Sequence, residues 1–200
     1  MIAGVILAAG AACRMEKIKQ LLPLGPQPML WHVAQAACRS RLDEVILISG
    51  ASSEPIAAAV SGLPLRVIHN PDWQQGQSSS LKAGLLSLQP NTEAVMFLLA
   101  DQPLVTPELI DALIGEWRSS GKTIVCPCYE ANRGNPVLLD LAAWRTDLEQ
   151  LGGDQGARRI LAAHPEAIGY LPVATDEIFL DVDTAEDYAR MQQRFRMGGK

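Results

Sequence analysis

Three unbroken apolar runs constrain the fold of this chain more than any other feature: Ile2 to Ala8, Val45 to Ser49 and Ala94 to Ala100. None of them alternates apolar with polar residues. A strand with one wet face alternates, whereas a strand covered on both faces does not. Helical patterns follow at Met29–Arg39, Glu54–Val60 and Ser78–Leu88, with a further strand at Leu65–His69. Thr106-Pro107-Glu108 opens another helix, placing a cap residue before a proline at the first helical position. The resulting β-α-β-α-β-α-β-α order predicts an α/β fold, with helices on both faces of a mostly parallel sheet.

The second half is less regular. Thr123–Cys128 and Asn135–Leu139 read as strands around the polar turn Tyr129–Gly134. Short helices at Leu141–Leu148 and Ala157–Ala163 precede strands at Ala167–Leu171 and Ile178–Leu180. A last helix starts at Asp183-Thr184-Ala185-Glu186, with Asp183 as its cap and Glu186 closing a capping box. Strands of mixed direction are expected here. No repeat, low-complexity tract or linker divides the chain, so one domain is expected over residues 1–200.

Composition narrows the function classes. The chain is 48% hydrophobic and 20% charged with a net charge of −5, which lacks the basic footprint of a nucleic-acid partner. No apolar segment reaches the roughly 18–20 residues of a membrane span. The apolar N-terminus has no basic residues before it, so a signal peptide is not expected and a cytoplasmic location is. Cys13, Cys38, Cys126 and Cys128 have no CxxC spacing and no clustered histidines. Cys126 and Cys128 would share one side of a strand about 6–7 Å apart, and read as reduced thiols rather than as a metal pair.

In open α/β sheets, ligands sit where the chain leaves the carboxyl ends of the strands. After the first strand come Ala9-Gly10-Ala11-Ala12-Cys13-Arg14 and then Lys19. Small residues let backbone N–H groups approach phosphate oxygens, and Arg14 and Lys19 neutralise the charge that remains. The spacing matches neither a P-loop nor a G-x-G-x-x-G turn, and a plain tight turn explains Gly10 about as well. Asp101 emerges from the strand Val95–Ala100 into the same cleft; a salt bridge, a cap or a Mg²⁺ ion would balance its charge. Asp181 and Asp183 stand at a later strand end and share a side if that strand persists. Gly76, Ser78, Ser79 and Ser80 join a loop to a helix N-terminus suited to a base, ribose or phosphate. Arg133-Gly134-Asn135-Pro136 and Gly152-Gly153-Asp154-Gln155-Gly156-Ala157-Arg158-Arg159 are glycine-rich turns with basic residues, read equally as surface loops or as a second-substrate site.

Taken together these segments resemble the MobA-like nucleotidyltransferase family, and most closely its molybdenum cofactor cytidylyltransferase branch. The resemblance rests on Leu7-Ala8-Ala9-Gly10-x3-Arg14-Met15-x3-Lys19-x2-Leu22-Pro23, then Asn70-Pro71-x4-Gly76-x-Ser78-Ser79-Ser80-Leu81, then Ala100-Asp101-Gln102-Pro103. It continues through Arg133-Gly134-Asn135-Pro136-Val137-Leu138, Gly153-Asp154-x-Gly156-Ala157-Arg158 and Asp181-Val182-Asp183-Thr184-x-Glu186-Asp187. These motifs keep the family's order from residue 2 to residue 187.

The resemblance implies a Rossmann-like three-layer sandwich with one cleft. Arg14, Lys19 and Asp101 would be the catalytic residues, and Asp101 and Asp183 would hold Mg²⁺. Leu7, Ala8, Ala9, Gly10, Arg14, Lys19, Gly76, Ser78, Ser79 and Ser80 would bind the nucleotide. Gly134, Asn135, Pro136, Asp154 and Arg158 would meet the acceptor. The Leu-Ala-Ala-Gly form, with Ala9 where guanylyl enzymes of the family usually have glycine, points to CTP. The implied acceptor is a phosphate-bearing molybdopterin-type pterin, with a molybdenum hydroxylase as a downstream partner. Glu16, in place of the signature's glycine, and Asn135, in place of its histidine, depart from the pattern and leave room for another phosphate acceptor.

Overall fold

The computed structural model describes residues 1–10 and 18–198. Strand β1 (Ile2–Ala8) is the run read from sequence, residue for residue. It lies between β4 (Glu44–Ser49) and β6 (Ala94–Leu99), parallel to both, with Val5 opposite Ile46 on one side and Phe97 on the other. Strand β5 (Arg66–His69) pairs parallel with β4 beyond it. On the other side of β6 runs β9 (Val137–Asp140), antiparallel both to β6 and to β7 (Ile124–Tyr129). Strand β10 (Ile168–Pro172) closes that edge parallel to β7. Among the described residues the main sheet therefore reads β10-β7-β9-β6-β1-β4-β5, a mixed sheet in which β9 is reversed and two-residue β8 (Asn132–Arg133) folds back on β7.

The absence of alternation in β1 follows from its cover. Ile2, Ile6 and Ala8 face one buried cluster and Val5 the other. Helices α1 (Met29–Arg39), α2 (Ser53–Ala59) and α4 (Pro107–Ser120) supply the first, through residues such as Leu30, Val33, Ile56, Ile110 and Leu113. Helices α3 (Gln77–Leu86), α5 (Leu141–Gln150) and α6 (Arg158–Ala163) supply the second, through Leu81, Leu85, Trp144, Leu148 and Ile160. Each fully buried Leu or Ile side chain contributes about 1.5–3 kcal/mol by leaving water, so these two layers dominate stability. The result is a Rossmann-like α/β/α sandwich. Helix α3 approaches the sheet closely because Gly84 has no side chain there; a Cβ would lie 2.7 Å from Val5.

Helix starts differ in who caps them. Thr106 accepts the Leu109 N–H at 3.3 Å, as the Thr-Pro-Glu pattern predicts. At the final helix α7 (Ala185–Gly198) the capping box is shifted by one residue. Thr184 Oγ1 accepts from the Asp187 N–H at 3.1 Å and Asp187 accepts from the Thr184 N–H at 3.0 Å, so the expected Asp183–Glu186 box does not form. The expected strand at Ile178–Leu180 is absent as well: Glu177–Phe179 form a 3₁₀ turn. The outer strand β10 runs only over Ile168–Pro172. The apolar residues of the turn pack instead, Leu180 on a third small cluster and Phe179 on Gly134.

That third cluster contains a two-strand hairpin with no clear sequence signature, β2 (Pro23–Leu24) and β3 (Gln27–Pro28). Leu22, Leu24 and Met29 pack with Val182 and Met191, and the Tyr188 hydroxyl donates to the Pro23 carbonyl. Helix α7 thereby anchors the chain that emerges from the Lys19 turn.

Candidate functional site

From β1 the chain moves outward to β4 and β5, then returns to place β6 on the other side of β1. The direction of winding reverses between β1 and β6, and a cleft opens at their carboxyl ends, as it does at such switch points generally. Gly10 follows β1 and Asp101 follows β6, so the topology brings together two residues 91 positions apart in the chain.

Lys19 joins them. Its Nζ lies 2.6 Å from Asp101 Oδ2 and 2.9 Å from Asp183 Oδ1, one ammonium bridging carboxylates from two distant segments. Lys19 and Asp101 are largely buried, with side chains 24% and 17% exposed, whereas Asp183 is half exposed at 51%. Burial alone would lower the Lys19 pKa; the charge and hydrogen bond of Asp101, then those of Asp183, outweigh it and hold the pKa above the ordinary lysine value. Because Thr184 caps α7, the Asp183 carboxylate turns toward Lys19.

Asp181 stands beside this cluster, within electrostatic reach of Asp101, Lys19 and Asp183. It accepts a 2.6 Å hydrogen bond from Gln102 Nε2. Crowding by surrounding protein, followed by the negative charge of Asp101, pushes its carboxyl above the usual range. Among the described residues, the carboxylates of Asp101, Asp181 and Asp183 gather around Lys19, oxygen donors of the kind a divalent cation takes. No group of three or more His, Cys, Asp or Glu arranged to hold a metal is present among the described residues.

The cleft beside this cluster encloses about 430 Å³. Leu7, Ala9, Gly10 and Lys19 form one wall with Gln20, and Gly76, Gln77 and Ser80 another, with Trp73 and Asp154 beside them. Ala8 and Ser78 are buried behind the lining, 3% exposed each. Arg14 lies outside the described residues.

The three serines are not caps. Gly76 occupies the N-cap position of α3 with no side-chain cap bond. Ser79 Oγ donates to the Gly76 carbonyl at 2.8 Å and accepts from Asn70 Nδ2, which also reaches Ser80 Oγ. Ser78 donates its N–H to the Gly153 carbonyl at 3.1 Å. The expected hydroxyl-rich helix start is therefore a strut joining the Asn70 turn, α3 and the loop at Gly153. Gly76, at φ +96°, has no space for a Cβ, which would sit 2.5 Å from the Gly153 carbonyl carbon and 2.6 Å from Asp154 Oδ1.

A second depression of about 390 Å³ shares Leu7, Gln77 and Leu99 with the first. Arg133, Gly134, Asn135 and Arg158 line it, while Pro136 is buried behind. Arg133 is oriented by donating to the Leu161 carbonyl at 3.2 Å. The turns at residues 133–136 and 153–158, distant in sequence, therefore bound one continuous surface. Asp154 alone of the acceptor set lies in the first cleft. Gln20 and Trp73 belong to no motif; the signal for Gln20 is a lone amide between Lys19 and the apolar run Leu21–Leu24.

The family model described as "MobA-like NTP transferase domain" matches residues 4–168. The chain is 26% identical to nicotine blue oxidoreductase of Paenarthrobacter nicotinovorans, over 95% of this chain and 96% of that protein. It is 24% identical to molybdenum cofactor cytidylyltransferase of Escherichia coli, over 96% and 95% respectively. The crystal structure of a manganese complex of Rv0371c from Mycobacterium tuberculosis superposes with a TM-score of 0.81 at 27% identity, covering 96% of this chain and 98% of that one. The reversal of winding at β1, the Lys19 bridge at the cleft and this match over most of the chain agree, and the chain belongs to the MobA-like NTP transferase domain family.

Proposed function

We propose that this protein transfers CMP from CTP to the terminal phosphate of a molybdopterin-type cofactor in the cytoplasm, releasing pyrophosphate. The observation that carries the reading is the Lys19 ammonium bridging Asp101 and Asp183 at the β1–β6 switch point. The similarity to molybdenum cofactor cytidylyltransferase of Escherichia coli, at 24% identity over nearly the whole chain, supports the acceptor and the base. Ala9, in the Leu7-Ala8-Ala9-Gly10 turn, supports CTP; it lines the cleft and packs on Gly50, where a Cβ would come 2.5 Å from its carbonyl oxygen.

In this reading the acceptor's phosphate oxygen forms a bond to the α-phosphorus of CTP, the bond from that phosphorus to the bridging oxygen breaks, and pyrophosphate carries off the electron pair. No side chain becomes covalently linked. Lys19 neutralises charge on the phosphates, and the small residues Ala9 and Gly10 admit them close to the backbone. Asp101 and Asp183 would hold Mg²⁺, which supplies charge neutralisation at the phosphate oxygens; the manganese complex of the mycobacterial relative supports a divalent ion here. The second depression, with Arg133 and Arg158, would seat the acceptor beside the nucleotide. Catalysis then rests on positioning two anions in one cleft.

Each nucleoside triphosphate is to be incubated with molybdopterin cofactor, sugar 1-phosphates and small alcohol phosphates, following pyrophosphate and the mass of the product. Pyrophosphate and a cytosine dinucleotide only with CTP and the pterin are expected. Turnover with another acceptor would reassign the substrate, and tight pterin binding with no turnover under any nucleotide would make the protein a cofactor carrier.

A further inference from the structure

Gln20 is a buried amide on the wall of the nucleotide cleft. Its residue is 4% exposed, and its Oε1 has no hydrogen-bond partner among the described residues. It follows Lys19 directly and faces Gly10 across the cleft wall: a Cβ built at Gly10 would lie 3.8 Å from Gln20 Nε2. Buried polar groups in folded proteins are nearly always paired, and an orphaned carbonyl is costly. A fold that retains one beside a ligand cleft has kept hydrogen-bonding capacity for the ligand. The orphan is an acceptor, so the group that completes it is a donor. Phosphate oxygens accept and cannot satisfy a carbonyl. Ribose hydroxyls and the amino or imino groups of a base donate, and a glutamine side chain reaches both ends of its amide by rotation about its last, softly held torsion.

We propose, resting on the nucleotide-binding reading above, that Gln20 positions the nucleoside of the bound triphosphate by accepting a hydrogen bond from one of its donors. Gln20 is a positioning residue for the sugar or base, while Lys19 beside it handles phosphate charge. The pairing forms only when nucleotide is bound, so the free protein carries the unsatisfied group and the complex does not.

The test compares the wild type with Gln20→Met and Gln20→Glu, measuring the Tm of the free protein and the Kd of Mg·CTP by calorimetry. Gln20→Met removes the orphan while keeping side-chain length, so its free-state Tm should stay level or rise. Its Kd for CTP should rise roughly tenfold, the size of one lost hydrogen bond to a bound ligand. Arms with 2′-deoxy-CTP, 3′-deoxy-CTP and UTP identify the donor, because the wild-type preference for CTP over one of them should vanish in Gln20→Met. A lower free-state Tm with unchanged Kd would make Gln20 a structural residue and overturn the proposal. Should Gln20→Met not fold, Gln20→Glu, close to the native shape, should still lose CTP affinity, and unchanged affinity there would overturn it equally. Wild-type protein that binds no nucleoside triphosphate would remove the parent reading, a result distinct from wild-type binding that the variants retain.

Discussion

Replacing Gly76 with alanine tests whether the cleft wall is held by a backbone contact rather than by the serines around it. Gly76 has φ +96° and ψ −178°, a region open essentially to glycine, where a side chain costs about 1–3 kcal/mol. The added Cβ would also stand 2.5 Å from the Gly153 carbonyl carbon and 2.6 Å from its oxygen, backbone atoms that cannot rotate away. Overpacking of this kind costs about 1–3 kcal/mol more. The sum, about 2–6 kcal/mol, is large against the roughly 5–15 kcal/mol of a typical protein. At about 2–4 °C per kcal/mol for a chain of this size, Tm should fall by roughly 4–24 °C. Two controls separate the contributions. Gly62 has φ +88° with nothing within 4 Å, so Gly62→Ala should show strain alone, about 1–3 kcal/mol. Gly115, exposed within α4 and also without neighbours, should give a gain of about 0.5–1 kcal/mol as alanine. Differential scanning calorimetry on the three variants is the assay. Gly76→Ala within a degree of wild type, or Gly62→Ala equally damaged, would refute the reasoning.

Other expectations follow from single residues. Thr106→Ala removes the side-chain cap of α4 and should cost about 1 kcal/mol, read as a fall of about 2–4 °C in Tm. Cys126 is fully buried, and burial pushes its thiol from 9.0 up to about 11. The folded state therefore disfavours the thiolate: the contribution is intact below pH 9 and is lost as pH rises from about 9 to about 11, reaching about 2–3 kcal/mol. Denaturant titrations across that window should show the slope in wild type and its reduction in Cys126→Ala; equal slopes would contradict the assignment. Lys19→Met should lower turnover about 10²- to 10³-fold by removing a charge partner of the transferring phosphate, and a rate within threefold of wild type would exclude that role.

Much of this architecture is legible in sequence because burial writes itself into composition. Ile2–Ala8 has no polar residue because β4 and β6 flank it and helices cover both faces, so its boundaries are visible directly. Local signals are weaker where tertiary contacts choose between alternatives. Ile178–Leu180 has strand composition, yet it packs as a 3₁₀ turn against Gly134 and the α7 cluster. Asp183 and Thr184 are both good caps, and only the position of Lys19, 164 residues away, shows why threonine takes the cap while aspartate faces the cleft. Ser79 and Ser80 read as ligand hydroxyls, and each also accepts a hydrogen bond from Asn70 Nδ2, a partner that no local pattern announces. Gln20 has the opposite history: a residue without a motif becomes conspicuous once its carbonyl is seen to lack a donor.

The Lys19–Asp101–Asp183 cluster is the centre of the account, and Asp101→Ala tests it most directly. Pyrophosphate release from CTP and molybdopterin cofactor should be measured with Mg²⁺ for wild type and variant, alongside Tm for both. Turnover in the wild type that is lost in Asp101→Ala, by at least a hundredfold with Tm preserved within a few degrees, is the predicted result. Equal pyrophosphate release from the two proteins would contradict it.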